Sequence, residues 1–240
     1  YASTRLADMS SLEVPGTFRM GARLSVPVAL GYFVISFAFG LYWAQGGLPP
    51  VASAVMSATN LSSSGQFAGL NVILAGGAAL ELALTTILVN LRYVLMSFSL
   101  GQRLDPSIGT LQRLAIGYGI TDEVFALAMT RPVVRFRFFL GLMAAPVLGW
   151  TGGTLAGALV GDILPASVQS AAGILLYAMF IAIVLPPARG ATAVQAVVAT
   201  AAIVGLLLGL ADGLAPGWRI ILAAVTASAV GATLFPVERT

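Results

Sequence analysis

Long apolar runs follow one another along almost the whole chain, and their lengths predict membrane-spanning helices. A helix rises about 1.5 Å per residue, so about 20 apolar residues cross a hydrocarbon layer of roughly 30 Å. The pattern therefore predicts an all-α polytopic membrane helix bundle of about eight transmembrane segments. The segments lie at residues 21–44, 50–76, 78–100, 110–130, 136–161, 165–186, 190–212 and 216–235.

Polar residues occupy two opposite faces of the third segment. On a regular helix, one face holds Glu81, Thr85, Arg92 and Ser99, and the other holds Thr86, Asn90, Tyr93 and Ser97. Polar groups at membrane depth cost free energy unless protein, water or a bound solute surrounds them. We therefore expect this segment to lie centrally in the bundle, or to be broken near Val89 to Asn90.

The second segment carries a polar stretch that is a poor helix interior. Asn60 is followed by Ser62, Ser63, Ser64 and Gly65, whose side chains compete for backbone hydrogen bonds or add flexibility. This predicts a broken helix near Ser62 to Gly65, with a positive helix N-terminus directed at the gap to hold an anionic group. The alternative is a continuous serine-rich helix that hydrogen-bonds to its neighbours.

The fourth segment contains two adjacent acids, Asp122 and Glu123. Two carboxylates at membrane depth repel each other and lose hydration, so we expect at least one of them to carry a proton near neutral pH. Arg92 and Asp122 lie at similar depths, which predicts an ion pair between them. We expect Glu123 or Glu81 to be the titrating group of this charge network.

Composition narrows the function classes. Of 240 residues, 58% are hydrophobic and 9% are charged, which indicates an integral membrane protein with one transmembrane domain. The small net charge of +3 gives no indication of nucleic-acid binding. Because the chain has neither cysteine nor histidine, carboxylates must carry any coupled protons. The sequence shows no phosphate-binding loop, zinc-ligand cluster or nucleophile motif, so we expect no enzymatic activity and no cofactor.

The arginines predict the orientation. With an N-terminus in the cytoplasm and eight crossings, eight arginines lie inside and three, Arg103, Arg113 and Arg219, lie outside. Residues 1–20 are then a cytoplasmic N-terminal segment without the apolar core of a signal peptide, and residues 21–236 form a single transport domain. Seven segments are the alternative, which places the Arg131 to Arg137 cluster outside.

The fifth segment has glycines at every fourth position, Gly153, Gly157 and Gly161. A stripe of small residues lets a second helix approach closely, so we interpret it as a packing surface.

Three motifs resemble those of the AzlC-like family, the large subunit of bacterial branched-chain amino-acid exporters. They are Ser63-Ser64-Gly65-Gln66-Phe67, Leu84 to Tyr93 and Thr121 to Leu127. The resemblance implies a multi-pass exporter in the bacterial inner membrane for valine, leucine, isoleucine and methionine. It also implies a small AzlD-like membrane subunit as partner and coupling to the proton gradient. Family members often have histidine where this chain has Tyr93. If that histidine moves protons in relatives, either a carboxylate does so here or this protein is not proton-coupled in the same way.

A zwitterionic amino acid needs a positive site, a negative site and an apolar pocket. For substrate binding we expect Ser63, Ser64, Gly65, Gln66, Phe67, Asn90, Arg92 and Tyr93. For proton coupling or a charge network we expect Glu81, Arg92, Asp122 and Glu123. The alternative functions are a passive channel for small neutral solutes and a structural membrane subunit that transports nothing.

Overall fold

The computed structural model describes residues 16–161, 163–165, 167, 174, 181, 184–186, 188–210 and 213–235. These residues form α-helices and no β-strand, as the all-α prediction requires. The helices are α1 (Phe18–Gln45), α2 (Pro50–Thr59), α3 (Ser63–Leu74), α4 (Ala79–Val89), α5 (Leu91–Gly101), α6 (Thr110–Tyr118), α7 (Asp122–Met129), α8 (Phe136–Val160), α9 (Thr192–Gly209) and α10 (Pro216–Leu234).

The two long helices α1 and α8 pack directly against each other and run in the same direction. Glycines make the close approach possible: a Cβ on Gly153 would lie 2.3 Å from the Phe33 carbonyl oxygen, and one on Gly157 would lie 2.1 Å from that of Phe37. The predicted packing role of Gly153, Gly157 and Gly161 is confirmed. We call the end of α1 that carries Arg19 the arginine end, and the end at Gln45 the opposite end.

Helices α2 and α3 form a hairpin that enters from the opposite end and returns to it. At its tip, Leu61 packs with Tyr32 and Trp150, which lie midway along α1 and α8. Leu74, the last residue of α3, packs against Gly46, which follows the end of α1: its side chain lies 2.5 Å from where a Cβ on Gly46 would be. The hairpin therefore returns to the opposite end. Each helix of this first hairpin reaches only about halfway across a bilayer.

Helices α4 and α5 together make one bent crossing. They are apolar enough to span as a pair, and they meet at Asn90 with a bend of 44°. The predicted break near Val89 to Asn90 is confirmed. The pair begins at the opposite end beside α3 and finishes at the arginine end, where Arg103 donates to the carbonyl oxygens of Met129 (2.8 Å) and Arg131 (3.3 Å).

Helices α6 and α7 form a second hairpin, which enters from the arginine end and returns to it. Gln112, near its start, lines a cavity together with Thr17. Arg131, just after its finish, contacts the sulfur of Met20 at 3.2 Å. Arg103 and Arg113 therefore lie at the same end as Arg131, so the prediction that these two arginines lie on the side opposite to Arg131 is wrong.

Helices α9 and α10 pack against each other in antiparallel fashion, with Val197 beside Gly231. The first turn of α10 contacts α4 through Gly217, whose backbone N–H donates to Glu81 Oε1 at 2.7 Å. The start of α10 therefore lies at the opposite end, beside the start of α4.

Eight crossings are not confirmed. Among the described residues, α1, α8, α9 and α10 are long and apolar enough to span a membrane, and the bent pair α4–α5 makes a fifth. The segments predicted at 50–76 and 110–130 fold instead as hairpins, because polar caps at Ser62 and Thr121 interrupt them at mid-depth. Much of the segment predicted at 165–186 lies outside the described residues.

Candidate functional site

Three helix breaks meet at the middle of the bundle. The tips of the two hairpins contact each other where the Tyr118 hydroxyl donates to the Ala58 carbonyl oxygen. The break between α4 and α5 joins the first hairpin through a hydrogen bond from the Ser62 hydroxyl to Asn90 Oδ1. Backbone that leaves helical geometry at membrane depth is tolerated where it is buried in protein or lines a cavity.

A cavity of about 210 Å³ lies at this junction. This is smaller than the roughly 300–1,000 Å³ of sites for drug-sized ligands, so it suits a smaller solute. Its polar lining comes from Ser63, Arg92, Thr121, Asp122 and Glu123, and its apolar and aromatic lining comes from Tyr32, Ile35, Leu61, Tyr93 and Trp150.

The cavity contains the predicted ion pair, with Arg92 Nη1 at 2.8 Å from Asp122 Oδ2. The pairing of these two residues is thus confirmed. The guanidinium also donates to Ser64 Oγ at 3.4 Å and lies over the Tyr93 ring, 5.1 Å from its centroid. The side chains are 35% and 43% exposed, so both charges remain accessible to a solute in the cavity.

Glu123 faces the same cavity from the next position of α7. Its Oε2 accepts a hydrogen bond from the hydroxyl of Tyr32, a buried residue of α1. The Tyr32 ring packs edge-to-face on Trp150, with centroids 5.5 Å apart. The carboxylate is therefore held by a phenol fixed in the α1–α8 core, while part of Glu123 stays exposed.

Three helices begin at the cavity with their positive N-terminal ends toward it: α3, α5 and α7. The Ser62 hydroxyl caps α3 by accepting the Gly65 N–H at 3.0 Å, and the Thr121 hydroxyl caps α7 by accepting the Val124 N–H at 3.3 Å. The first turn of α7 carries two acids, whereas those of α3 and α5 carry none. The arrangement therefore places positive groups, the N-terminus of α3 and Arg92, next to the carboxylates of α7.

Not all predicted substrate-binding residues line the cavity. Gln66 is fully buried behind it, and its amide bonds to the carbonyl oxygens of Asn60 and Met56 and to Trp150 Nε1. Phe67 is buried against Phe39 and does not line the cavity. Gly65 and Asn90 support the cavity wall, because a Cβ on Gly65 would lie 2.7 Å from Asn90 Nδ2.

Glu81 lies apart from Arg92, Asp122 and Glu123. The residue is 4% exposed, and its carboxylate accepts the Gly217 N–H at the start of α10. Eleven positions of sequence, a helical rise of about 16 Å, and the bend at Asn90 separate it from Arg92. Its contact gives it a role in joining α4 to α10.

Sequence reasoning missed Tyr32, Ile35, Leu61, Thr121 and Trp150 as cavity residues. Tyr32 and Trp150 belong to long apolar helices, where an aromatic residue gives no local indication of a site. No group of three or more potential metal ligands occurs among the described residues.

Comparison with known proteins places the chain in a family. The model of the AzlC protein family matches residues 27–164, a range that includes every residue lining the cavity. The inner membrane protein YgaZ of Escherichia coli (strain K12) is 31% identical over 202 residues, covering 80% of this chain and 81% of YgaZ.

Two further relatives match over shorter ranges. The branched-chain amino acid transport protein AzlC of Bacillus subtilis (strain 168) is 24% identical over 157 residues, covering 62% of this chain and 60% of that protein. An uncharacterized membrane protein of Helicobacter pylori (strain J99) is 27% identical over 142 residues, covering 58% and 61%. No solved structure gives a significant match.

Proposed function

The chain belongs to the AzlC family, and from this premise we propose that it is a secondary transporter that exports branched-chain amino acids across the bacterial inner membrane. The substrate class comes from the B. subtilis relative, whose name assigns it branched-chain amino acid transport. The observation that carries the proposal is the mid-depth cavity whose lining holds both a guanidinium and two carboxylates.

The cavity chemistry suits a zwitterion with a small apolar side chain. The substrate carboxylate would bind Arg92 and the N-terminus of α3 near Ser63, where backbone N–H groups and a positive helix end favour anions. The ammonium would bind Asp122 or Glu123. The branched side chain would pack in the apolar part of the cavity, against Leu61 and Trp150.

Proton coupling would use Glu123. The chain has no histidine, so a carboxylate is the natural proton carrier. Glu123 is partly exposed in the cavity and bonded to Tyr32, whereas Asp122 is neutralised by Arg92. Protonation of Glu123 would remove one negative charge facing the substrate ammonium and so weaken binding.

We further propose that the arginine end faces the cytoplasm. Arg19, Arg23, Arg103, Arg113, Arg131, Arg135 and Arg137 lie at this end, whereas Arg219 lies at the opposite end. Arginine excess marks the cytoplasmic side. A small AzlD-like membrane subunit is the proposed partner.

The test is transport in proteoliposomes that contain the purified chain, with and without a co-purified small subunit. We expect labelled leucine to move against its gradient when a proton gradient is imposed. Arg92→Gln should lower leucine transport at least tenfold, because it removes the guanidinium that lines the cavity. Arg23→Gln, at an exposed arginine outside the cavity, should transport like the unsubstituted chain.

Glu123→Gln separates coupling from permeation. We expect this variant to exchange leucine across the membrane but to lose uphill transport. Equal uphill transport by Glu123→Gln and the unsubstituted chain would exclude the proposed proton carrier. Flux that is always downhill and indifferent to the proton gradient would instead indicate a passive channel.

A further inference from the structure

A second, larger cavity of about 640 Å³ lies at the arginine end. Arg19, Arg135 and Arg137 line it, together with the apolar side chains of Phe18 and Phe136. Orientation in the membrane requires only that arginines lie on the same side. It does not require three of them to converge on one concave surface.

Two helix N-termini add to this positive charge. Helices α1 and α8 run in parallel, so both begin at this cavity, and neither has an acidic residue in its first turn. Cations are favoured at the C-terminal ends of helices and anions at the N-terminal ends, so arginines in these first turns raise a positive potential that is already present. Residue Arg135, at the N-cap of α8, makes no side-chain capping hydrogen bond, which leaves backbone N–H groups of the first turn for another acceptor.

Among the described residues that line the cavity, Asp105 is the one that carries a carboxylate. Hydrogen bonds from the Ser107 hydroxyl and backbone N–H lower the pKa of this carboxyl, so it stays ionised near neutral pH. It lies close enough to Arg135 to interact with its charge. Arg19 and Arg137 make no ion pair with any described residue, so positive charge remains in excess.

We propose that this cavity binds an anionic phosphate group, carried by a lipid headgroup or by a free phosphate, with Arg19 and Arg137 as the main cationic contacts. Guanidinium groups match phosphate oxygens with paired hydrogen bonds. The N–H groups at the start of α8 would supply further donors. Phe18 and Phe136 would contact the first apolar part of a lipid, since the cavity lies at one end of the membrane-spanning helices.

The test is binding of phosphatidylglycerol to the purified full-length chain in neutral detergent, followed by native mass spectrometry, with phosphatidylcholine for comparison. We expect the chain to prefer phosphatidylglycerol. Each arginine near an anionic headgroup contributes roughly fivefold in affinity, so Arg19→Gln combined with Arg137→Gln should weaken binding roughly 30-fold. Arg23→Gln combined with Arg113→Gln removes the same charge from the same end but outside the cavity, and should leave affinity within about twofold.

Asp105→Asn should change the affinity in the opposite direction. It still tests the proposal if the double arginine variant fails to fold. It removes the negative charge that faces the bound anion, and should tighten phosphatidylglycerol binding several-fold. Displacement of the lipid by inorganic phosphate would identify a site for a free anion, and resistance to displacement a site for a headgroup. Equal losses in the two double variants, no preference between the lipids, or unchanged binding by Asp105→Asn would overturn the proposal.

Discussion

At the scale of single residues, Gln66 determines the shape of the first hairpin. Its side chain is fully buried, and its amide nitrogen donates to the carbonyl oxygens of Met56, in the last turn of α2, and Asn60, at the end of α2. Its amide oxygen accepts from Trp150 Nε1 at 3.1 Å and from the Ser57 hydroxyl at 3.2 Å. One side chain therefore satisfies the backbone of α2 and fastens it to α8.

Gln66→Leu should destabilise the protein by at least about 2 kcal/mol, because each buried group left without a partner costs about 1–3 kcal/mol. The measurement is the temperature at which the detergent-solubilised protein loses its monodisperse gel-filtration peak. Ser64→Ala is the control: Ser64 is partly exposed, and within the described part of the chain its hydroxyl bonds to Arg92 alone, at the long distance of 3.4 Å. Equal thermal stability of Gln66→Leu and Ser64→Ala would contradict this role.

The contrast between Arg92 and Gln66 shows which contacts sequence can predict. Opposite charges at similar depth in adjacent segments have few alternatives to pairing with each other, so the Arg92–Asp122 contact was predictable. Gln66 also lies in a recognisable motif, but its Trp150 partner is 84 residues away in a helix with no local polar pattern. A buried amide can bond to any nearby backbone group. The motif alone therefore could not show that the Gln66 side chain bonds to other parts of the protein instead of lining the cavity.

At the scale of helices, the α1–α8 pair depends on backbone contact. A Cβ at position 157 would meet the Phe37 carbonyl oxygen at 2.1 Å, and backbone cannot move aside as a flexible side chain can. Gly157→Ala should therefore separate the helices and cost at least about 2 kcal/mol. Gly152→Ala is the matched control, because a Cβ there meets nothing within 4 Å and alanine favours the helix.

Thermal stability in detergent distinguishes the two glycine variants. We expect Gly157→Ala to lower the unfolding temperature and Gly152→Ala to leave it unchanged or slightly higher. A similar unfolding temperature for both would mean that α1 and α8 do not pack as closely as these contacts require.

Helix α10 is attached to α4 through the buried carboxylate of Glu81. The Gly217 N–H belongs to the first turn of α10, so the bond combines a hydrogen bond with the attraction between an anion and a helix N-terminus. Glu81→Ala should cost about 1–3 kcal/mol by leaving this N–H without its acceptor. Glu81→Gln keeps an acceptor oxygen and should cost less, and limited proteolysis of α10 would measure the difference. Equal protection in both variants would contradict this attachment.

Hydropathy could not distinguish a crossing from a hairpin. The first hairpin has enough apolar residues for one full crossing, and only its capped break shows that they form two half-length helices. The polar stretch predicts this break near Ser62 to Gly65, and in the structure Ser62 caps the start of α3. In the second hairpin, Gly119 to Thr121 interrupt the helix in the same way, but the apolar pattern of residues 110–130 predicts a continuous helix that contains Asp122 and Glu123.

At the scale of the whole molecule, the two hairpins enter from opposite ends and meet tip to tip. In each hairpin, the second helix begins with a hydroxyl cap. Ser63-Ser64 follow the cap of the first hairpin, and Asp122-Glu123 follow the cap of the second. Inverted pairs of this kind place the solute site of many transporters near mid-depth, between the repeats. The sequence shows no repeat, because the two hairpins have similar backbone geometry but different residues.

The hairpins also change which loops share a side of the membrane, and this makes the fold testable. Eight crossings would place Ala75 on the side opposite to Gln45, and Gln102 on the side opposite to Thr130. The hairpins place Ala75 with Gln45 and Gln102 with Thr130, because each hairpin returns to its own end. The chain has no cysteine, so single cysteine variants can report this directly.

We expect Ala75→Cys and Gln45→Cys to react with a membrane-impermeant maleimide from one side of sealed vesicles, and Gln102→Cys and Thr130→Cys from the other. All four positions are exposed, so accessibility within the protein does not limit the reaction. If the arginine end is cytoplasmic, the second pair reacts only in inside-out vesicles. Reaction of Ala75→Cys from the side opposite to Gln45→Cys, together with reaction of Gln102→Cys from the side opposite to Thr130→Cys, would restore eight crossings. It would also remove the hairpin-lined cavity, since both of its capped tips would then lie in continuous helices.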